Sequence, residues 1–186
     1  QVAKKVVGES GEVISSDILE MKNIPGVTFV QGDFMQDEVR AKLSLALAGR
    51  RVDVILSDMA PNLSGLKIMD QGRAYNLVDL AMSMASEWLK PGGSMVVKVF
   101  RGQGYEDYLA DFREFFKEVK IRKPAASRGR STECFLVGSG YRRLQEDSNV
   151  SEDEGAAPEP APVATISKKK KQKLDDLMDG MYDDDY

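Results

Sequence analysis

A chain of 186 residues is long enough for one domain with a substantial core and some excess length. Its single cysteine, Cys134, excludes an internal disulfide and points to a reducing compartment, the cytoplasm, and the absence of histidine excludes every mechanism that needs an imidazole base or ligand. The net charge of −4 hides a division: from Leu144 onward 12 acidic and 5 basic side chains leave −7, so Gln1 to Arg143 carries +3, a mildly basic body that permits a nucleic-acid partner. No stretch is long and apolar enough to span a membrane, no signal peptide is visible, and no metal site is predicted.

The first residue is Gln1 rather than Met, so an upstream segment is expected to be missing. Gln1 to Val7 reads as the last turns of a helix stopped by Gly8. Val13 to Asp17 is a short strand that ends on an acid, and Val27 to Val30 is another, followed by Gln31-Gly32-Asp33. Either acid alone is explained as a cap or a solvated loop residue. Acids at the ends of successive strands of a doubly wound sheet also suit the ribose hydroxyls of a nucleoside, and the pair favours that reading. Asp37 to Ala48, apolar at 39, 43, 46 and 47 and ended by Gly49, is a helix that packs on the sheet.

The chain is organised around Arg51 to Phe100. Val52 to Asp58 and Ser94 to Phe100 are short β-branched runs, broken by Met59-Ala60-Pro61-Asn62 and Arg101-Gly102-Gln103-Gly104, a pattern that suits strands covered on both faces. Between them Arg73 to Leu89 is apolar at 74, 77, 81, 84 and 88, a helical spacing, and Lys90-Pro91-Gly92-Gly93 stops it. Strand, helix and strand make a crossover, so the two strands run parallel and bring Asp58 and Lys98 to the edge where open α/β sheets bind ligands. Ser64 to Asp70 has no period and reads as a mobile loop over that edge.

Tyr105 to Phe116 is a further helix whose aromatic stripe, Tyr108, Phe112, Phe115 and Phe116, is core rather than a stacking platform. Val119 to Arg122 and Cys134 to Val137 are the last strands. The cation-rich loop Lys123 to Ser131 between them is either a solvated surface or a grip for phosphates. Glu133, directly before the final strand, has edge protection as a sufficient structural reason. From Leu144 the chain is too polar to fold and is expected to be a disordered acidic and Lys-rich tail, with Leu174, Leu177, Met178 and Met181 at helical spacing near its end.

Ser57-Asp58-Met59-Ala60-Pro61-Asn62, Val96-Val97-Lys98-Val99-Phe100, Val30-Gln31-Gly32-Asp33-Phe34 and Arg130-Ser131-Thr132-Glu133, in this order, closely resemble the FtsJ/RrmJ family. These are S-adenosylmethionine-dependent RNA ribose 2′-O-methyltransferases, and the likeness runs from Gln1 to Arg142, nearest to bacterial members that methylate a uridine ribose in ribosomal RNA of the large ribosomal subunit. The resemblance implies a Rossmann-like class I methyltransferase fold of the α/β class with a mostly parallel sheet. It also implies a methyltransferase domain over 1–143, a tail over 144–186, and S-adenosyl-L-methionine as cofactor. Of the family's Lys-Asp-Lys-Glu tetrad, Asp58, Lys98 and Glu133 match the last three members, with Lys98 as proton acceptor and the two acids orienting it and the ribose. Asp17 matches the acid that holds the cofactor ribose, Asp33 the one beside its adenine, and Asp58 also lies near the cofactor. The tetrad's first lysine, a Gly-rich cofactor loop and the first strand belong before Gln1, so the sequence is expected to be a fragment in which the strands of Asp17 and Asp58 lack a common neighbour. Other readings stay open at this point: a non-catalytic RNA-binding or ribosome-assembly protein, 2′-O-methylation of transfer RNA or messenger RNA caps, or a nucleoside-dependent dehydrogenase, for which Gly102-Gln103-Gly104 is a weak hint.

Overall fold

The computed structural model describes residues 1–61, 65–123 and 131–142, without the side chains of 67 and 68. The acidic tail and most of the cation-rich loop expected from the sequence lie outside them. No helix of the described residues is long and apolar enough to cross a membrane. The chain forms two compact units, Gln1–Arg51 and the residues from Val52 onward.

In the first unit, α1 (Val2–Val7) stops at Gly8, whose N–H donates to the Lys4 carbonyl at 3.2 Å. Strands β1 (Val13–Asp17) and β2 (Val27–Gln31) pair in parallel, from Val13 opposite Val27 to Asp17 opposite Gln31. Helix α2 (Asp37–Leu47) buries Val39, Leu43 and Leu47, one stripe at four-residue spacing. A Cβ on Gly32 would lie 2.4 Å from Val39 Cγ2, so only glycine lets the turn after β2 approach the helix this closely. Arg50 closes the far end of α2: its Nε donates to the Leu47 carbonyl at 3.0 Å and its two Nη groups form a forked pair with the Glu12 carboxylate.

The second unit contains β3 (Val52–Ser57), α3 (Lys67–Trp88), β4 (Leu89–Phe100), α4 (Tyr105–Phe115), β5 (Phe116–Arg122) and β6 (Glu133–Tyr141), in the strand order β3-β4-β6-β5. β3, α3 and β4 make the expected parallel crossover, whereas β6 runs antiparallel to both β4 and β5. The two-stranded sheet is thus parallel, and the four-stranded sheet is mixed, with β3, β4 and β5 running one way and β6 the other. The connection between β5 and β6 is too short for a crossover, so β6 has to return antiparallel to β5. Met95, Val97 and Val99 of β4 and Cys134 and Leu136 of β6 point to one face, at most 1% exposed, and α3 and α4 cover them with Val78, Ala81, Ala85, Leu109 and Phe112. On the other face of β3, Val54 and Leu56 are 52% and 63% exposed, so the described residues cover one face of this strand and not the two its β-branched, apolar character suggests.

Three boundaries also differ from the sequence reading. Lys67–Asp70 belongs to α3 and not to a loop. Lys90 to Gly93 does not separate helix from strand: β4 starts at Leu89 and takes these residues up as a bulge, since Val52 pairs with Leu89 but Val54 with Ser94. Lys90 Nζ closes the bulge on Asp53 Oδ1 at 2.7 Å. Phe116 opens β5 instead of ending α4, yet its ring packs 4.6 Å from that of Phe112 and 5.5 Å from that of Tyr141, so it serves the same core.

Candidate active site

Parallel pairing of Ser57 with Val97 sets Asp58, the residue after β3, alongside Lys98. Lys98 Nζ donates to the Asp58 main-chain carbonyl at 2.8 Å, and among the described residues no ion pair joins Lys98 to the carboxylate of Asp58 or Glu133. On β6, Phe135 stands opposite Lys98 and Glu133 opposite Phe100, so Lys98, Phe135 and Glu133 share one face of the pleat. The Phe135 ring lies 5.9 Å from Lys98 Nζ, within reach of a cation–π contact when the amine is charged. The Glu133 N–H donates to Ser131 Oγ at 3.2 Å, which fixes the residue where the strand begins. The structure thus gathers Asp58, Lys98 and Glu133 at one end of one sheet. A half-exposed primary amine is held there by a carbonyl, with carboxylates on the flanking strands.

Asp17 and Asp33 are brought together by the other sheet. Asp17 ends β1, Asp33 lies two residues beyond β2, and the Gly32 N–H between them donates to the Asp17 carbonyl at 2.9 Å. Each acid folds a local turn: Asp17 Oδ1 accepts from the Leu19 N–H and Asp33 Oδ1 from the Met35 N–H, both at 2.9 Å. That accounts for one oxygen of each carboxylate. The second oxygens, on exposed residues, are left to accept from hydroxyl or amino donors of a ligand.

The sequence reading passed over the residues that hold the turn after β4. Gln71 Nε2 donates to the Phe100 carbonyl at 3.2 Å and to Tyr75 Oη at 2.7 Å, and Tyr75 Oη donates to the Gln103 carbonyl. Tyr108 stacks on Tyr75 with ring centroids 4.3 Å apart, and burial, reinforced by Asp79, pushes its hydroxyl well above the usual phenol range. Arg101 follows Phe100, its N–H donating to the Thr132 carbonyl at 2.9 Å and its guanidinium lying 5.8 Å from the Tyr105 ring centroid. The available signal was the glycine pair: a Cβ on Gly102 would fall 2.2 Å from Gln71 Oε1, and one on Gly104 3.2 Å from Tyr75 Cε2.

Comparison with known proteins gives these residues a setting. The chain is 52% identical to the ribosomal RNA large subunit methyltransferase E of Marinobacter nauticus over 142 residues, 76% of this chain and 69% of that protein. It is 49% identical to the protein of the same name from Chromobacterium violaceum, with the same coverage. Among solved structures, a chain described as a ribosomal RNA methyltransferase from Plasmodium falciparum superposes with a TM-score of 0.61 at 28% identity, over 70% of this chain and 72% of that one. The family model that matches residues 1–141 is that of the FtsJ-like methyltransferases, and the chain belongs to this family.

Proposed function

We propose that this protein transfers a methyl group from S-adenosylmethionine to the 2′-hydroxyl of a ribose, that of a uridine, in ribosomal RNA of the large subunit, with Lys98 as general base. The observation that carries the reading is the placement of Lys98 Nζ at the strand edge, bonded to the Asp58 carbonyl at 2.8 Å with Glu133 on the same sheet face. The relatives at about half identity, named for large-subunit ribosomal RNA, support the choice of substrate.

A ribose hydroxyl is a poor nucleophile until its proton leaves, and a positioned neutral amine can accept that proton. The hydrogen bond to the Asp58 carbonyl occupies one N–H of Lys98 and leaves the nitrogen lone pair free to face the hydroxyl. Once protonated, the half-exposed ammonium gains from the Phe135 ring and returns its proton to solvent. Glu133 and the Asp58 carboxylate are placed to orient the ribose and the lysine. S-adenosylmethionine, when bound, supplies an electrophilic methyl group on a sulfonium. The free carboxylate oxygens of Asp17 and Asp33 fit the polar hydroxyl and amino groups of its adenosine. The family match ends at residue 141, which supports a methyltransferase region over 1–143 and a separate tail over 144–186.

The test is transfer of a labelled methyl group from S-adenosylmethionine to unmethylated large ribosomal subunits, with the label mapped by nuclease digestion. Label on a ribose 2′-oxygen is the expected result. Label on a base, or no label on the ribosomal RNA while added transfer RNA is labelled, would overturn the assignment.

A further inference from the structure

We propose that Arg101 binds a backbone phosphate of the RNA, next to the ribose served by Lys98. The inference rests on the RNA-methyltransferase reading above and adds a substrate-binding residue to it. Arg101 is the first residue beyond β4 and is exposed. Its backbone is tied to Thr132, next to Glu133, while Lys98 is tied to Asp58, so both residues are fixed to the same sheet edge. Three residues of strand span about 10 Å and Arg101 leaves the pleat on the face opposite Lys98, so its guanidinium is out of reach of the reacting ribose, and the contact proposed for it is a flanking phosphate at the end of the sheet.

Arg101 is held by an aromatic ring at the sheet end and not by an acid. Arg50, Lys90 and Lys120 each pair with a carboxylate, that of Glu12, Asp53 and Glu118 respectively. Among the described residues Arg101 has no such partner. Its neighbours are the Tyr105 ring and the Cys134 thiol, on the pleat face opposite Glu133. An aromatic face orients the planar cation without neutralising it, so its outer N–H donors remain open in the fork geometry that matches two phosphate oxygens. The turn that carries it is itself latched, by Gln71 to Phe100 and by Tyr75 to Gln103. An arginine held without a carboxylate at the sheet end that carries the proposed base has the chemistry of a phosphate ligand.

The experiment measures binding of the protein to a large-subunit ribosomal RNA hairpin across a salt series, with steady-state methylation of the same RNA. For Arg101→Gln the slope of log affinity against log salt should fall in magnitude by about 0.7–0.9, the signature of one lost phosphate contact to single-stranded or duplex nucleic acid. The KM for RNA should rise about tenfold with kcat and S-adenosylmethionine affinity unchanged. Arg101→Lys should keep the slope and recover only part of the affinity. An unchanged slope and KM in Arg101→Gln would overturn the proposal, and so would a fall in cofactor affinity, which would assign the cation to the cofactor carboxylate. Failure of the parent protein to bind RNA would overturn the underlying function instead, and that result appears before any variant is compared.

Discussion

Lys98 reaches the main-chain carbonyl of Asp58 at 2.8 Å, so the amine at the sheet edge is held by the end of the neighbouring strand and not by an acid side chain. A carbonyl keeps the amine in place without adding charge to it. Holding the amine is thereby separate from the side chains of Asp58 and Glu133, which makes the role of Lys98 separable by mutation.

Lys98→Ala is expected to lower single-turnover methyl transfer by about 10²–10⁴-fold, the range for loss of a general base, with cofactor affinity unchanged. Lys98→Arg should fail equally, because a guanidinium does not deprotonate in proteins and can only supply charge. Full activity in the arginine variant would make Lys98 an electrostatic anchor and remove it as the base.

Asp17 has a structural and a proposed ligand role on the two oxygens of one carboxylate. Asp17→Asn keeps an acceptor for the Leu19 N–H and removes the charge, whereas Asp17→Ala removes both. Calorimetry should show S-adenosylmethionine binding weakened in both variants, with a fall in Tm in Asp17→Ala alone. Equal binding in wild type and Asp17→Asn would leave Asp17 as a turn residue only.

Gly102 and Gln71 should behave as one unit. A Cβ at 102 displaces the Gln71 amide, which takes with it the hydrogen bonds to Phe100 and Tyr75. Each single change to alanine is expected to cost about 1–2 kcal/mol in denaturant unfolding. The double variant should cost little more than either, since both remove the same contacts. Additive losses would show that Gly102 is needed for a reason other than Gln71.

Most of this was legible where apolar periodicity changes abruptly. The expected first strand coincides with β1, and Val39, Leu43 and Leu47 face inward as their spacing requires. The start of α3 was not legible, because Gly72 interrupts it before any apolar period is established and Gln71 acts through hydrogen bonds to a turn about thirty residues away. Pro91-Gly92-Gly93 reads as a stop in any sequence, yet a bulge anchored by Lys90 and Asp53 carries the strand through it. The aromatic stripe gave no sign that Phe116 had left the helix, since Phe112 and Phe116 fill one core from two elements. At the site, the residue types of Asp58, Lys98 and Glu133 could be read, but not that Asp58 would offer its carbonyl.

The forked pair between Glu12 and Arg50 gives the first unit a defined acid sensitivity. The Arg50 hydrogen bond holds the Glu12 carboxyl below its ordinary value of 4.5, and the same hydrogen bond, with the charge of Glu12, raises Arg50. A lowered folded value means that the pair stabilises the fold fully above the unfolded value and stops doing so as pH falls through the folded one. Both partners are exposed, so the contribution is small and falls further with salt. The Tm difference between wild type and Glu12→Gln should therefore be constant near neutral pH, shrink as pH drops below 4.5, and be reduced by added salt. A difference that persists unchanged at low pH would show that Glu12 acts through packing and not through its charge.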